Sequence, residues 1–385
     1  MPLTFSTLIA AVPLAIWLYL FLARGNFWRL RVDAIVPGSL DRWPRVVVIV
    51  PARNEAETIA SAIVALAKQD YPERLSIVVV DDHSDDGTAG LARKAAEESS
   101  RDHGITILQA APLAPGWTGK LWALNEGLHA VAEQAPEFFW FTDADVKHAP
   151  DTLRRLVFRA EQESLDLTSL MVLLRAKTVP ERLLIPAFLY FFLMLYPPRW
   201  IAGPKKRTAC AAGGCILLRR SAFERFGGLE TIRGEVIDDC ALARAVKNSG
   251  GNIWMGLTRN SISLRGYGGF AEIREMIART AFTQLRYSFF LLLVTVLGLF
   301  ATYLLPWILF WTTNESAWLL AGITISVMMA TYSVTVRFYG VSPLWALTLP
   351  IAAIFYVYAT CVSAVRYWLG RGGQWKGRAQ APGSP

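Results

Sequence analysis

The tripeptide Asp143-Ala144-Asp145 carries two carboxylates one residue apart, directly after the strand-like run 137–142 (EFFWFT). Such an aromatic run is typical of a buried strand. A strand that ends in this way places its carboxylates at the carboxyl edge of a sheet, where open α/β folds bind ligands. Two hard oxygen ligands suit Mg²⁺ or Mn²⁺, which also take phosphate oxygens. A solvated turn after a buried strand is the alternative.

Two more strand-like runs lead into acidic residues, the first into Glu55 and the second into Asp81 and Asp82. In chain order, the strand-like runs and the helix-like segments between them are 45–51, 55–69, 75–80, 88–99, 105–108 and 120–135. Apolar strands that alternate with helices indicate a parallel sheet covered on both faces. Because the carboxyl ends of parallel strands meet at one edge, we expect these carboxylates to converge in one crevice, which favours a binding site over a solvated turn.

Several function classes are disfavoured by what the sequence contains. No G-x-G-x-x-G follows the first strand and no Walker A sequence is present, which argues against a dinucleotide-binding domain and an ATPase. The net charge is +8, but the basic residues are scattered or lie beside apolar segments. Attraction to anionic lipid headgroups explains this charge, and we expect no nucleic-acid partner. The four cysteines lack zinc-like spacing with histidine and read as small buried side chains.

Uncharged stretches at 1–23, 287–314, 316–336 and 338–365 are each long enough to cross a bilayer as a helix, which takes about 20 residues. A fifth apolar run at 183–198 is only about 16 residues long and predicts an interfacial or buried helix. The first stretch is followed, and not preceded, by arginines. The positive-inside rule therefore places the chain from Arg24 onward in the cytoplasm.

These patterns predict the layout of the chain. The expected parts are a transmembrane helix at 1–24, a cytoplasmic α/β domain at 45–265, an interfacial helix at 266–287, about three transmembrane helices within 288–366 and a basic tail at 367–385. Three crossings would leave the tail outside, whereas its basic charge favours the cytoplasm. Either the run 183–198 enters the bilayer or one long segment is re-entrant.

Four motifs, in this order along the chain, resemble family 2 inverting glycosyltransferases of the GT-A fold. They are 51–55 (PARNE), 80–88 (VDDHSDDGT), 143–145 (DAD) and 237–243 (IDDCALA). With the segment 115–125 (PGWTGKLWALN) and the trailing apolar stretches, they look like the hopene-associated glycosyltransferases, a membrane group near the ceramide glucosyltransferases. The resemblance implies a Rossmann-like α/β GT-A domain that binds a nucleotide sugar, joined to α-helical transmembrane segments. It further implies an integral protein of the inner (cell) membrane whose catalytic domain is cytoplasmic.

The resemblance also implies roles for individual residues. Asp239 would be the general base, and its neighbour Asp238 would raise its proton affinity. Asp145, supported by Asp143, would hold the Mg²⁺ or Mn²⁺ that offsets the charge of the leaving diphosphate. The implied donor-binding residues are Ala52, Glu55, Asp81, Asp82, Lys120, Asp143 and Arg286, and Gly213 and Gly214 would form the acceptor loop.

Each of these roles has a structural alternative. Asp238 and Asp239 could form a capping cluster at a helix start. Lys120 could be a solvated lysine, the glycine pair a plain tight turn, and Arg286 a membrane-interface anchor.

The leading hypothesis is therefore a membrane-bound inverting hexosyltransferase that moves a sugar from a UDP-sugar to the hydroxyl of a lipid, such as a hopanoid or ceramide-like acceptor. A processive polysaccharide synthase is the second hypothesis. Such enzymes carry Gln-x-x-Arg-Trp, and the nearest stretch here is 284–287 (QLRY), which weakens this alternative. A non-catalytic membrane scaffold is the third, and the presence of every expected carboxylate argues against it.

Overall fold

The structure, a computed structural model, describes residues 5–99 and 103–370 and the backbone of 374–375 and 378–379. The chain divides into two compact units. The sheet unit contains 31–175 and 201–266, together with the two-residue strands Gln374–Trp375 and Arg378–Ala379, which pair antiparallel. The helical unit contains the chain up to residue 30, residues 176–200 and the chain from 267 to 370.

The sheet unit is built on one eight-stranded sheet. Its strands are β1 (Val46–Ala52), β2 (Ser76–Asp81), β3 (Gly104–Gln109), β4 (Phe138–Thr142), β5 (Val146–His148), β6 (Leu167–Leu173), β7 (Cys215–Arg219) and β8 (Ile253–Ser263). Their order across the sheet is β3-β2-β1-β4-β7-β6-β8-β5. Neighbours among β1 to β4 are parallel, which confirms the parallel sheet that the sequence predicts. β7 runs antiparallel to both β4 and β6, and β5 runs antiparallel to β8, so the second half of the sheet is mixed.

Helices connect the strands and form most of the helical unit. They are α1 (Phe5–Leu22), α2 (Ile59–Ala67), α3 (Thr88–Ser99), α4 (Gly119–Ala130), α5 (Thr152–Gln162), α6 (Val179–Leu195), α7 (Pro198–Ile201), α8 (Arg220–Arg225), α9 (Asp238–Asn248), α10 (Phe270–Ala278), α11 (Ala281–Gln284), α12 (Phe289–Leu299), α13 (Leu305–Leu309), α14 (Glu315–Phe338) and α15 (Leu349–Trp368). A π-helical turn joins α12 to α13, and a 3-10 turn at Pro343–Thr348 precedes α15.

The core of the sheet unit lies on both faces of the central strands. Every residue of β1 and of β4 is buried, and Trp140 is fully buried among apolar side chains of β1, β7 and α5. Burying an apolar side chain of this size contributes about 1.5–3 kcal/mol. A strand that is apolar on both faces must pack against other elements on both faces. This packing holds the carboxyl ends of β1, β2 and β4 in place.

Among the residues that the structure describes, five helical stretches are long and apolar enough to cross a membrane: Phe5–Leu22, Val179–Ile201, Phe289–Leu309, Glu315–Phe338 and Pro343–Trp368. Three contacts within the helical unit fix their directions. Thr7 Oγ1 lies 3.3 Å from Asn314 Oδ1, so α1 and α14 begin at the same end. Trp17, near the end of α1, donates to the Thr302 carbonyl. From Thr302 the chain runs through α13 towards Asn314, at the end where α1 and α14 begin. The rings of Tyr287 and Tyr367 stack with centroids 4.2 Å apart, so α15 ends where α12 begins.

The helix that contains most of the run 183–198 starts four residues before the run and ends at Leu195. α6 starts at Val179 because Thr178 and Glu181 form a capping box, in which the Glu181 carboxylate accepts from the Thr178 backbone N–H at 3.0 Å. Pro180 in the first turn favours the same start. Hydropathy alone could not locate this start, because the residues that set it are polar.

The segment 266–287, predicted as one interfacial helix, forms two short helices instead. α10 ends at Ala278 and α11 begins at Ala281. Ser363 of α15 explains the break, because its hydroxyl donates to the Ala278 carbonyl and accepts from the Phe282 N–H. A side chain from a distant helix thus satisfies backbone groups that a continuous helix would pair internally.

Candidate active site

Asp143-Ala144-Asp145 forms the turn between β4 and β5, at the carboxyl edge of the sheet. The Val146 N–H donates to the Asp143 carbonyl at 3.3 Å, and the Leu264 N–H donates to the Asp145 carbonyl at 2.7 Å. Both aspartates are partly exposed, while Ala144 between them is buried. The sequence prediction of two carboxylates at this edge is therefore confirmed.

Lys120 connects this turn to the acidic pair Asp238-Asp239. It lies in the first turn of α4, and its ammonium Nζ is 2.9 Å from Asp143 Oδ1 and 3.3 Å from Asp238 Oδ2. The side chain is only 17% exposed, so Lys120 is not a solvated lysine. Burial alone would lower the pKa of this ammonium, but the charges of Asp143 and Asp238 raise it above its usual value. Lys120 therefore stays charged between the two motifs.

Asp239 accepts two backbone hydrogen bonds beside this lysine. Its Oδ2 accepts from the Gly213 N–H at 2.9 Å, and its Oδ1 accepts from the Cys240 N–H at 2.7 Å. Burial, followed by the charge of Asp238, raises the pKa of Asp239 to about 6. Ile237 is the N-cap residue of α9, and no side chain caps that helix start. Both aspartates nevertheless lie in the first turn of α9, where the Cys240 N–H has no partner within the helix, so the capping interpretation holds in part and does not exclude the role of a base.

Gly213 permits the close approach of these groups. A Cβ at this position would lie 3.1 Å from Lys120 Nζ and 3.4 Å from Asp239 Oδ2, so a larger residue would crowd both. A Cβ at Gly214 would lie 3.2 Å from the Val172 side chain. The glycine pair lies in a turn and leaves room for neighbouring side chains, and its role as the acceptor loop stays a prediction.

The ends of β1 and β2 lie side by side at the same edge. Ala52 and Asp81 are in register, and the Asp82 N–H donates to the Ala52 carbonyl at 2.8 Å. Asp82 is fully buried, with Oδ2 3.7 Å from Nη1 of Arg53. The Asp81 carboxylate accepts from the hydroxyl of Ser84.

Hydrogen bonds brace the loop after β1 against the loop after β2. The Asn54 N–H donates to Ser84 Oγ at 3.0 Å, and the Glu55 N–H donates to Thr88 Oγ1 at 2.8 Å. The Glu55 carboxylate accepts from Thr58 Oγ1 at 3.2 Å. Sequence reasoning missed Ser84 and Thr88. Short hydroxyl residues in a loop often form hydrogen bonds with nearby backbone groups, and their position after an acidic pair could have indicated this role.

The residues present fit a divalent cation bound together with a diphosphate. In the described part of the chain, no three His, Cys, Asp or Glu side chains form a group that could hold a metal by themselves. Asp143 and Asp145 can supply one or two carboxylates, which is the usual protein share for Mg²⁺ when substrate phosphates supply further oxygens. Of the predicted donor residues, Ala52, Glu55, Asp81, Asp82, Lys120 and Asp143 all belong to the sheet unit.

Arg286 belongs to the helical unit, in a turn after α11. Its side chain is exposed, its φ is 52°, and its N–H donates to the Thr283 carbonyl at 2.9 Å. The donor-binding role of Arg286 stays a prediction.

Comparisons with known proteins agree with this geometry. Residues 47–227 match the model of glycosyl transferase family 2. An N-acetylglucosaminyltransferase of Rhizobium leguminosarum bv. viciae is 28% identical over 189 residues, which are 47% of this chain and 40% of that protein. A polyprenol monophosphomannose synthase of Mycolicibacterium smegmatis is 33% identical over 123 residues, which are 31% of this chain and 43% of that protein. The chain thus spans less than half the length of either relative.

A solved structure extends the likeness in fold to most of the chain. The mannosyltransferase PcManGT from Pyrobaculum calidifontis, in complex with GDP-Man and Mn²⁺, superposes with a TM-score of 0.57 and 22% identity, covering 94% of this chain and 99% of that one. Identity at this level shows a shared fold alone. Residues 47–227 are therefore similar to glycosyl transferase family 2, and the sheet that contains them has the α/β GT-A fold.

Proposed function

We propose that the protein transfers a hexose from a nucleotide diphosphate sugar, in the first instance a UDP-sugar, to the hydroxyl of a membrane lipid with inversion at the anomeric carbon. The observation that carries this proposal is the position of Lys120, which pairs with Asp143 on one side and with Asp238 on the other. A donor site and a base must lie this close for direct displacement, because the acceptor oxygen attacks the carbon that the diphosphate leaves.

Each residue then has a chemical task. Asp239 accepts the proton of the acceptor hydroxyl as that hydroxyl attacks, and Asp238 keeps the proton affinity of Asp239 high enough for this task. Lys120 offers a fixed positive charge near the leaving diphosphate. Asp81 or Asp82 accepts a hydrogen bond from the base of the nucleotide, beside Ala52 and Glu55. A bound Mg²⁺ or Mn²⁺, held by Asp145 with Asp143, would stabilise the negative charge of the diphosphate as a Lewis acid.

A lipid acceptor is supported by the helical unit and by one of the relatives. Five helical stretches of the described chain have the length and composition of membrane spans. One relative is named as a polyprenol monophosphomannose synthase, and a polyprenol is a lipid. A hopanoid or a ceramide-like lipid is the acceptor class that the sequence resemblance implies, and these lipids should be tested first.

The helix directions support a topology in the inner (cell) membrane with the catalytic domain cytoplasmic. β6 precedes α6 and β7 follows it, and the two strands pair directly. A single crossing by α6 would separate these two strands, so α6 does not cross in the proposed topology. α15 follows the end of α14 and ends beside Tyr287, which supports placing both of its ends on the face where α1 ends. In this topology the crossing segments among the described residues are α1, the stretch 289–309 and α14, and these three crossings are compatible with a cytoplasmic tail.

This topology predicts a cytoplasmic C-terminal tail. A single cysteine placed after Trp368 in a variant without the native cysteines should be protected from a membrane-impermeant maleimide in intact cells. The same cysteine should react fully after the membrane is opened. A cysteine placed at Thr312, between α13 and α14, is the matched control and should react in intact cells. Labelling of the tail cysteine in intact cells would contradict the topology.

The raised pKa of Asp239 predicts an acid limb in the pH dependence of transfer. The base must be ionised to accept a proton, so kcat/KM should fall as the pH drops below about 6 and should level off above it. Asp238→Asn removes a neighbouring negative charge, which makes ionisation of Asp239 easier. The acid limb of this variant should therefore move to lower pH, as measured by its residual kcat/KM. An acid limb that does not move would show that Asp238 does not raise the pKa of the base.

Incorporation of labelled sugar into a lipid extract tests the function. Membranes that contain the protein are incubated with a panel of UDP- and GDP-sugars, and the products are identified by mass. Label in a chloroform-soluble glycolipid, absent with the Asp239→Asn variant, is the expected result. Label that appears only in insoluble polymer would favour the processive synthase instead.

A further inference from the structure

A buried histidine lies directly behind the Asp143-Ala144-Asp145 turn. His148 ends β5, is only 3% exposed, and packs its ring 4.8 Å from that of Trp140. Its Nε2 is 2.7 Å from Thr142 Oγ1, and its Nδ1 is 2.8 Å from Ser261 Oγ on β8. His148 is outside the motifs of the family resemblance and has no part in the mechanism proposed above.

The hydrogen-bond directions in this cluster follow from its composition. The Gly214 carbonyl can only accept, and Thr142 Oγ1 lies 3.1 Å from it. When the Thr142 hydroxyl donates to Gly214, His148 Nε2 donates to Thr142 and Nδ1 accepts from Ser261. A neutral ring can make this arrangement, and burial lowers the pKa of His148 to about 3, which keeps the ring neutral. Gly214, Thr142, His148 and Ser261 are therefore joined in one series of hydrogen bonds.

This series of hydrogen bonds connects the carboxylate turn to the loop that contains Gly213 and Gly214. Thr142 immediately precedes Asp143, and His148 follows Asp145 by three residues, so the bond between them closes the base of the turn that carries both carboxylates. The series of hydrogen bonds ends at the Gly214 carbonyl. The neighbouring Gly213 donates its N–H to Asp239 Oδ2 at 2.9 Å. His148 thus helps to fix the position of the carboxylate turn relative to Asp239.

We propose that His148 is a positioning residue for sugar transfer, which holds the carboxylate turn at a fixed distance from the loop that orients Asp239. This inference rests on the proposed function of the site. Reacting groups that are held in place are sensitive to small shifts, and a displacement of about 1 Å can cost about 100-fold in rate. His148 acts through Thr142 and Gly214 and touches neither substrate.

The sheet unit contains a matched control. His103 is also buried, at 5% exposure, and also makes two hydrogen bonds, accepting from the Leu75 N–H at Nδ1 and contacting the Gln69 carbonyl at Nε2. It precedes β3 and so lies at the amino edge of the sheet, away from the carboxylate turn. His103→Ala should therefore remove a buried histidine without disturbing the site.

The test compares His148→Ala, His148→Gln and His103→Ala with the wild type, all as full-length protein in nanodiscs. The measurements are kcat, the donor KM, the half-saturating Mn²⁺ concentration and Tm. We expect His148→Ala to lower kcat by about 100-fold and to raise the half-saturating Mn²⁺ concentration by about tenfold. His148→Gln should recover most of the loss, because its amide can accept from Ser261 and donate to Thr142. His103→Ala should leave kcat and the Mn²⁺ requirement unchanged, whatever it does to Tm.

The outcomes separate this inference from the function on which it rests. If the wild type transfers sugar and His148→Ala changes only Tm, as His103→Ala does, the positioning role is wrong and the function stands. The positioning role is also wrong if His148→Gln is no better than His148→Ala. If the wild type transfers no sugar to any lipid, the proposed function is wrong and the inference falls with it. Should His148→Ala fail to fold, Ser261→Ala tests the same series of hydrogen bonds, with a smaller loss of kcat expected.

Discussion

Asp239→Asn is expected to lower kcat for sugar transfer by about 10²–10⁴-fold, the usual contribution of a general base. Asparagine keeps the size of the side chain and can still accept one of the two backbone hydrogen bonds from Gly213 and Cys240. It cannot take the proton of the acceptor hydroxyl. The loss should therefore appear in kcat, while the affinity for the nucleotide diphosphate stays within about twofold of wild type.

The measurement pairs initial transfer rates with nucleotide binding by calorimetry. Asp41→Asn is the matched control, because Asp41 is an exposed aspartate of the same unit and its replacement makes the same change of charge. Both variants should bind the nucleotide, and only Asp239→Asn should lose transfer. Undiminished transfer by Asp239→Asn would show that another group acts as the base.

Asp145→Asn should lower kcat/KM about 10³-fold, because Lewis-acid stabilisation of the leaving group is worth several kcal/mol. Asp145 lies at the tip of the turn between β4 and β5 and is partly exposed, as a ligand shared with a substrate phosphate must be. The variant should also lose the stimulation of nucleotide binding by Mn²⁺. This second effect separates a metal ligand from a residue that only shapes the turn.

Metal removal provides the complementary experiment. Wild-type activity should disappear in a chelator and return when excess Mn²⁺ or Mg²⁺ is added. Asp145→Asn should show little activity in either condition. If Asp145→Asn keeps its activity and its Mn²⁺ dependence, the metal is held elsewhere or is not required.

The part of the fold that the sequence predicted is the part that local patterns determine. Apolar runs predicted β1, β2, β3 and β4, and the acidic residues that follow three of these strands lie at one edge, as expected. Parallel strands share a direction, so the positions of their carboxyl ends follow once the sheet is recognised. The direction of β7 could not be predicted in this way, because its partners β4 and β6 precede it by many residues.

Contacts between distant segments account for the rest. Nothing local to Lys120 indicates that its ammonium lies between Asp143 and Asp238, which come from two other elements. His148 reads in the sequence as an ordinary residue of a short strand, and only the pairing of β5 with β8 gives it Ser261 as a partner. Likewise, the break between α10 and α11 depends on Ser363, a residue of the last helix.

The anomeric configuration of the product tests the central claim most directly. The protein in nanodiscs is given a nucleotide sugar with an α-linked hexose and a membrane lipid extract, and the glycolipid formed is examined by NMR. Direct displacement assisted by Asp239 predicts a lipid that carries the hexose in β linkage. An α-linked lipid product, or transfer into polymer with no glycolipid, would contradict the account.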